Sequence, residues 1–265
     1  MGRYDFKFGD TWISELGAVS TETPTIEIAQ RDYELVKIPG KNGDDYIDNG
    51  RYENVPITRS ISFVGRALFP VDEKVNNFIN TYAYLQGYHT FEDTDHNDMV
   101  TEAVLLNFKE VNRKMRTLHS AKLKFSRKPY WFLKDGLKFQ TVDLTTETPS
   151  LQFNNPFPAE SEPIIKFGIF LDGNQSPATF SFRITTGGVS VVYTYDAVRS
   201  GITGDLSIWI DCEKRTVKMK SGAASSLLNI SNIPKGFDVG STLFEIMSGK
   251  SNLTEVLIAP RWRCL

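Results

Sequence analysis

The densest group of metal-ligating side-chain types is Asp93-Thr94-Asp95-His96-Asn97-Asp98. Oxygen donors at alternate positions 93, 95 and 97 are how a calcium-binding loop begins. Such a loop then needs glycine at its sixth position and a bidentate glutamate at its twelfth. Here those positions hold Asp98 and Val104, so the segment reads as the polar tip of a hairpin. His89, His96 and His119 stand in no recognisable nucleophile–base motif, and G-x-S-x-G, the phosphate-binding P-loop and H-E-x-x-H are all absent. Carboxylate pairs for glycoside hydrolysis are defined by separation in space, and nothing in the sequence singles one out. Cys212 and Cys264 are too few and too unpatterned for a disulfide framework or a zinc site and read as reduced thiols. The expectation is a protein without catalysis, metal or cofactor.

Two groups of residues suit binding instead. Arg113, Lys114, Arg116, Lys122, Lys124, Arg127 and Lys128 form one basic concentration. Lys122 and Lys124 alternate with Leu123 and Phe125, which puts both lysines on the outward face of one strand. That face is either simply solvated or meets acidic neighbours in an assembly. Trp209 and Trp262 are candidates for stacking on a sugar, although Trp209 lies between Ile208 and Ile210 and must point away from them. The chain as a whole has 30 basic and 32 acidic side chains, a formal charge of −2. A protein built to grip phosphate backbones carries a basic excess, so nucleic acid is not its expected ligand.

The elements that must position these residues are mostly short strands separated by Gly, Asn, Asp and Pro. Ile57, Ile61 and Phe63 alternate with Thr58, Ser60 and Ser62. His119, Ala121, Leu123 and Phe125 alternate with polar residues, as do Leu206, Ile208 and Ile210, and more weakly Val104, Leu106 and Phe108. One segment, residues 70–87, breaks the period. Val71, Val75, Phe78, Ile79, Tyr82 and Leu85 recur at helical spacing, with Pro70 at the start, Asp72 and Glu73 in the first turn and Gly87 as the expected cap. It is expected to be the one long helix.

At 265 residues, with 40% hydrophobic and 12% aromatic content, two cored domains are expected. Prolines 149, 156, 158 and 163 punctuate the stretch after Leu133. The expected division is 1–134, a linker or crossover at 135–162, and a strand-rich sandwich at 163–265. MGRYDFKFGD has charges where a signal peptide needs an apolar core, and no window approaches a membrane span. A soluble chain without an export signal is expected.

The segment YELVKIPGKNGDDYIDNGRYENVP, residues 33–56, reads as strand, sharp turn, long exposed loop and strand. Its loop, Gly40 to Asn54, carries Tyr46, Arg51 and Tyr52, residue types enriched at the centres of protein interfaces. A protruding hairpin or belt that reaches a neighbouring subunit is the reading it suits, beside that of an ordinary surface loop.

The same pattern, IPGKNG…GRYENVPI, resembles the N-terminal signature of the distal tail (Dit) proteins of siphophage tail tips. Tyr4-Asp5-Phe6-Lys7-Phe8-Gly9 with Leu16-Gly17 resembles that family's first strand and turn, and Phe125 to Tyr130 its "F…PY" closing motif. Gly204-Asp205-Leu206…Ile210-Asp211, Lys235-Gly236-Phe237 and Pro260-Arg261-Trp262 resemble its C-terminal domain. The resemblance covers nearly the whole chain. It implies a mainly β fold: an N-terminal β-rich ring domain with one long helix and a β-hairpin, then a galectin-like β-sandwich. It also implies a homo-hexameric ring that joins the tail tube protein to the tail-tip or tail-associated protein. A receptor-binding protein is a further partner, genome DNA passes through the lumen without specific binding, and no membrane is involved. The place of action would be the virion tail tip, after synthesis in the bacterial host cytoplasm. The alternative is a carbohydrate-binding module for host cell-surface glycans. Against it, the galectin motif of His, Asn and Arg at alternating positions is absent, as are the long insertions of carbohydrate-binding family members.

Overall fold

Alternation of apolar and polar residues produces strands throughout, and the chain is mainly β. The computed structural model describes residues 4–22, 25–65, 71–108, 110–115, 117–171, 178–197, 204–221, 224–228 and 233–265. The chain divides into two compact units, Met1–Trp131 with Leu265, and Phe132–Cys264.

The first unit contains β1 (Phe6–Phe8), β2 (Thr11–Trp12), β3 (Ala18–Ser20), β4 (Arg31–Lys37), β5 (Asp44–Tyr52) and β6 (Val55–Val64). The helix α1 (Val71–Tyr82), β7 (His89–Asp93), β8 (Met99–Asn107), β9 (Val111–Met115) and β10 (Leu118–Arg127) follow, and then β11 (Trp131–Leu133) at the point where the two units meet in sequence. Its main sheet runs β2-β1-β7-β8-β10-β6-β3, with β9 also paired to β10. β6 and β10 pair in register along ten residues, from Leu118↔Val64 to Arg127↔Val55. Ile57, Ile61, Phe63, Leu123 and Phe125 all turn inward, as their spacing requires.

The helix covers this sheet because Val71, Val75, Phe78 and Tyr82 fall on one stripe, and all four are buried. Phe78 packs edge-on to Phe63 at 5.2 Å, and Tyr82 lies 5.6 Å from Phe8 with its hydroxyl donating to the Thr11 carbonyl at 2.9 Å. It is the one α-helix among the described residues. It ends at Tyr82, so Gly87 (φ +83) belongs to the following turn and is not the cap. Pro70 lies outside the described residues. β8 also departs from its expected face: Thr101 and Ala103 turn inward and Leu106 is 64% exposed. Ala103 and Leu105 pair with the inward-facing Arg127 and Phe125 of β10, and a register shift between Phe125 and Lys124 falls at Leu106.

The second unit has β12 (Gln140–Thr141), β13 (Ser150–Asn155), β14 (Ile164–Leu171), β15 (Ala178–Thr186), β16 (Val189–Ala197), β17 (Gly204–Asp211), β18 (Thr216–Ser221), β19 (Ala224–Leu228), β20 (Gly240–Ser248) and β21 (Leu253–Ala259). They form two sheets, β12-β21-β14-β17-β18-β19 and β13-β20-β15-β16. Phe167 of the first sheet lies 4.6 Å from Phe180 and 5.1 Å from Phe182 of the second, so the sheets face each other as a sandwich. Ile165, Ile169, Ile208 and Ile210 complete one inner face, Phe244 and Tyr195 the other. The stretch 135–162 contributes β12 and β13 to these sheets. Among the described residues no helix is long and apolar enough to cross a membrane.

Candidate assembly surface

Among the described residues β4 and β5 pair only with each other, as a two-stranded sheet. The expected long loop from Gly40 to Asn54 is therefore a short turn followed by a nine-residue strand. Gly40 and Gly43, both at φ +84, supply the left-handed positions that the turn requires. The aspartates and asparagine that resemble a loop are cross-strand partners. Asp32 accepts from Arg51 Nε at 2.5 Å and Asn49 Nδ2 at 2.9 Å, and Arg31 Nε donates to Asp48 at 2.8 Å. Asn49, then Arg51, hold the Asp32 carboxyl below its ordinary range, and Arg31 does the same for Asp48.

The register Tyr33↔Asp48, Glu34↔Ile47, Leu35↔Tyr46 assigns the faces. Tyr33, Leu35 and Tyr46 share one face, with Arg31 and Tyr52 at its base. Asp32, Val36, Ile47 and Arg51 share the other. Tyr33, Leu35 and Tyr46 are 51–55% exposed and Ile47 is 48% exposed. Both faces therefore carry exposed apolar side chains. A lone two-stranded hairpin is marginal in water, and a contiguous exposed apolar face marks an interaction surface.

The base of the hairpin is fastened to the main sheet. The Tyr52 hydroxyl accepts from Arg31 Nη1 at 3.2 Å, and its ring meets Tyr130 edge-on at 5.9 Å. Asn54 Nδ2 donates to Ser126 Oγ at 3.1 Å and also to the Tyr88 hydroxyl.

Lys122 and Lys124 lie exposed on β10, between the inward-facing Ala121, Leu123 and Phe125. They flank Ser60 and Thr58 of β6, and neither has an ion-pair partner among the described residues. Arg113, Arg127 and Lys128 do not join them. Arg113 pairs with Asp72 at 3.2 Å and Lys128 pairs with Glu102. Arg127 is 2% exposed and turns inward over Trp131 at 5.0 Å. Arg116 lies outside the described residues. The five expected interface residues thus occupy a hairpin and a strand face of the first unit, with Tyr46 and Tyr52 on the opposite side of the hairpin from Arg51.

A buried polar network escapes the sequence reading. Arg59, 5% exposed, donates to the Tyr4 hydroxyl at 2.9 Å and to Glu27 at 3.0 Å. Tyr4 reaches Asp93 at 3.4 Å, and Asp93 accepts from the His96 backbone N–H at 2.8 Å. Burial raises the Tyr4 hydroxyl well above its ordinary range against the opposing pull of Arg59. The signal was available: Arg59 shares the odd-numbered, inward register of Ile57 and Ile61. The 93–98 segment is a hairpin tip whose Asp93 is spent on this network. No cluster able to hold a metal ion occurs among the described residues.

In the second unit, the face of Trp209 points outward and is occupied. Lys166 Nζ lies 5.5 Å above the ring, Phe139 meets it edge-on at 5.9 Å, and Nε1 donates to Ser207 Oγ at 3.1 Å. Trp262 is buried against Phe153 and Phe237.

No protein-family model and no curated protein matches this sequence. The folded chain is nonetheless similar to a solved phage distal tail protein. That protein is the Dit protein of phage SPP1, described as a paradigm of the hub adsorption apparatus in phages infecting Gram-positive bacteria. The match covers 92% of this chain and 98% of that one, with a TM-score of 0.59 and 10% sequence identity. The chain therefore has the β-rich fold to which its sequence motifs point.

Proposed function

We propose that this chain is a structural hub of a phage tail tip, with no catalysis of its own. The observation that carries this is the end-to-end likeness to SPP1 Dit, 92% of one chain against 98% of the other, which leaves no room for a large added domain in the compared regions. In this reading residues 1–134 form the ring, and the crossover at 135–162 lends β12 and β13 to a galectin-like sandwich made mainly by 163–265. Six copies close a ring that joins the tail tube protein to the tail-tip proteins and encloses the channel for the genome. The mechanism is geometric: one heterologous contact, repeated by rotation until it closes, fixes the lumen.

The hairpin supports the reading because each protomer presents, on a rooted arm, two faces that carry exposed apolar side chains. Lys122 and Lys124 offer a second contact, toward an acidic surface of the neighbour or tube. A sugar-binding role finds no support in Trp209, whose face Lys166 and Phe139 already occupy.

Negative-stain electron microscopy of the purified chain tests the proposal. Closed six-fold rings with a central hole, six times the 29.9 kDa chain in mass, are the expected result. Monomers that stay monomeric even with tail tube and tip proteins present would overturn it.

A further inference from the structure

Arg59 on β6 and Arg127 on β10 are buried at positions where these strands turn mostly apolar side chains inward. Both reach the same residue. Arg59 Nη1 donates to the Glu27 carboxylate at 3.0 Å, and Arg127 Nη2 donates to the Glu27 carbonyl at 3.5 Å. Glu27 belongs to residues 25–30, an extended strap outside any strand that runs directly into β4. Glu27 and Ala29 turn toward the sheet, while Ile26 and Ile28 stand 86% and 67% exposed. Most of both isoleucines is therefore in solvent, and the strap is held by the Arg59–Glu27 pair, the Ala29 methyl and the bonds to the Glu27 and Gln30 carbonyls.

The receiving arginine cannot follow the strap if it moves. Its Nε is committed to Tyr4, its Nη1 also donates to the Thr58 carbonyl, and Tyr4 is backed by Asp93. The other root of the hairpin is fixed to the sheet by Asn54, which donates to Ser126 Oγ at 3.1 Å, and is tied to the strap by the Glu53 N–H donating to the Gln30 carbonyl at 2.8 Å.

We infer that Glu27 is a latch: by clamping the strap to Arg59 and Arg127, it sets the direction in which the β4–β5 hairpin leaves the first unit. With apolar side chains exposed on both hairpin faces, orientation is decided at the roots. A hairpin held in one direction loses less conformational freedom on docking, so the latch preorganises whatever contact the hairpin makes. That last consequence rests on the hub reading; the latch itself does not.

Hydrogen-exchange mass spectrometry on the full chain tests it, with wild type and Glu27→Gln both diluted to monomers. The substitution keeps size and removes the charge from a half-buried, charge-assisted bond. Exchange in residues 25–37 and 44–53 is expected to accelerate about 10- to 100-fold, with β14 and β17 unchanged. Unchanged hairpin exchange, or equal acceleration in both units, overturns the latch. If Glu27→Gln does not fold, Glu27→Asp keeps the charge, shortens the reach by one methylene and is read in the same way. Faster hairpin exchange supports the latch whether or not rings form, whereas the absence of rings bears on the hub reading alone.

Discussion

Tyr33 and Tyr46 stack across the hairpin with ring centroids 5.1 Å apart and planes 29° from parallel, and each remains more than half exposed. An aromatic pair held rigid and left open is a low-entropy anchor for a partner. Tyr46→Ser is therefore expected to weaken ring formation by about 30-fold or more, while changing monomer stability by less than about 1 kcal/mol. Arg51→Ala, on the opposite face, is expected to cost less than about tenfold, because that guanidinium is already spent on an exposed pair with Asp32. Sedimentation velocity for assembly and urea unfolding for the monomer separate the two effects. Equal ring formation by Tyr46→Ser and wild type would remove the tyrosine face from the interface.

Lys122 and Lys124 stand exposed on β10 with no acidic partner among the described residues, so reversing both charges leaves the fold intact. Each change is expected within about 0.5 kcal/mol for monomer stability. If this face meets an acidic surface, Lys122→Glu/Lys124→Glu abolishes ring formation at about 0.15 M salt, and wild-type rings weaken at about 0.5 M. Rings from the double variant that match wild type in mass and salt response would leave the lysines as a solvated face.

The strands that a half-buried sheet demands were plain in the sequence. β6, β10 and β17 show the period of two because one face of each meets a core. A protruding hairpin was legible in residues 33–56, but its second strand, β5, hid for the complementary reason. With both faces exposed it has no hydrophobic alternation, and its Asp, Asn and Gly residues resemble a loop although they pair across the strands. The helix was legible, but its end was not, because Leu85 prolongs the apolar spacing beyond the last buried position at Tyr82. The Arg59 network was half legible. The parity of Arg59 and Arg127 announces inward charges, but their partner Glu27 lies about 30 and 100 residues away, and only the folded sheet brings the three together.

Gly249 precedes the short turn at Lys250–Asn252 with φ +74. A Cβ placed there would lie 2.2 Å from the Thr179 carbonyl oxygen and 2.7 Å from the Phe180 Cα, both backbone of β15. Backbone cannot yield as a flexible side chain can, so Gly249→Ala is expected to cost about 2–4 kcal/mol. Gly40→Ala is the control: it shares the left-handed φ but meets nothing within 4 Å, and about 1 kcal/mol is expected. Similar losses for the two variants, measured by thermal and urea unfolding, would show that φ alone decides.

Cys212 is 1% exposed at the end of β17, and burial, with Asp211 adding to it, pushes its thiol up to about 12. The folded state therefore keeps the proton that the unfolded state begins to release near pH ~9. Across that window the folded chain binds more protons, so its stability falls as pH rises, from about 9 toward 12. Burial raises Tyr4, Tyr82 and Tyr195 in the same direction, which makes wild type alone a blunt probe. Comparison with Cys212→Ala isolates the thiol: the wild-type advantage over the variant should shrink by on the order of 1–2 kcal/mol between pH ~8.5 and ~10.5. Maleimide labelling of the native chain gives an independent check. The partly exposed Cys264 should react first, and Cys212 only at the rate of unfolding. Rapid labelling of both thiols in native buffer would mean that the sandwich opens beside β17 far more readily than its packing allows.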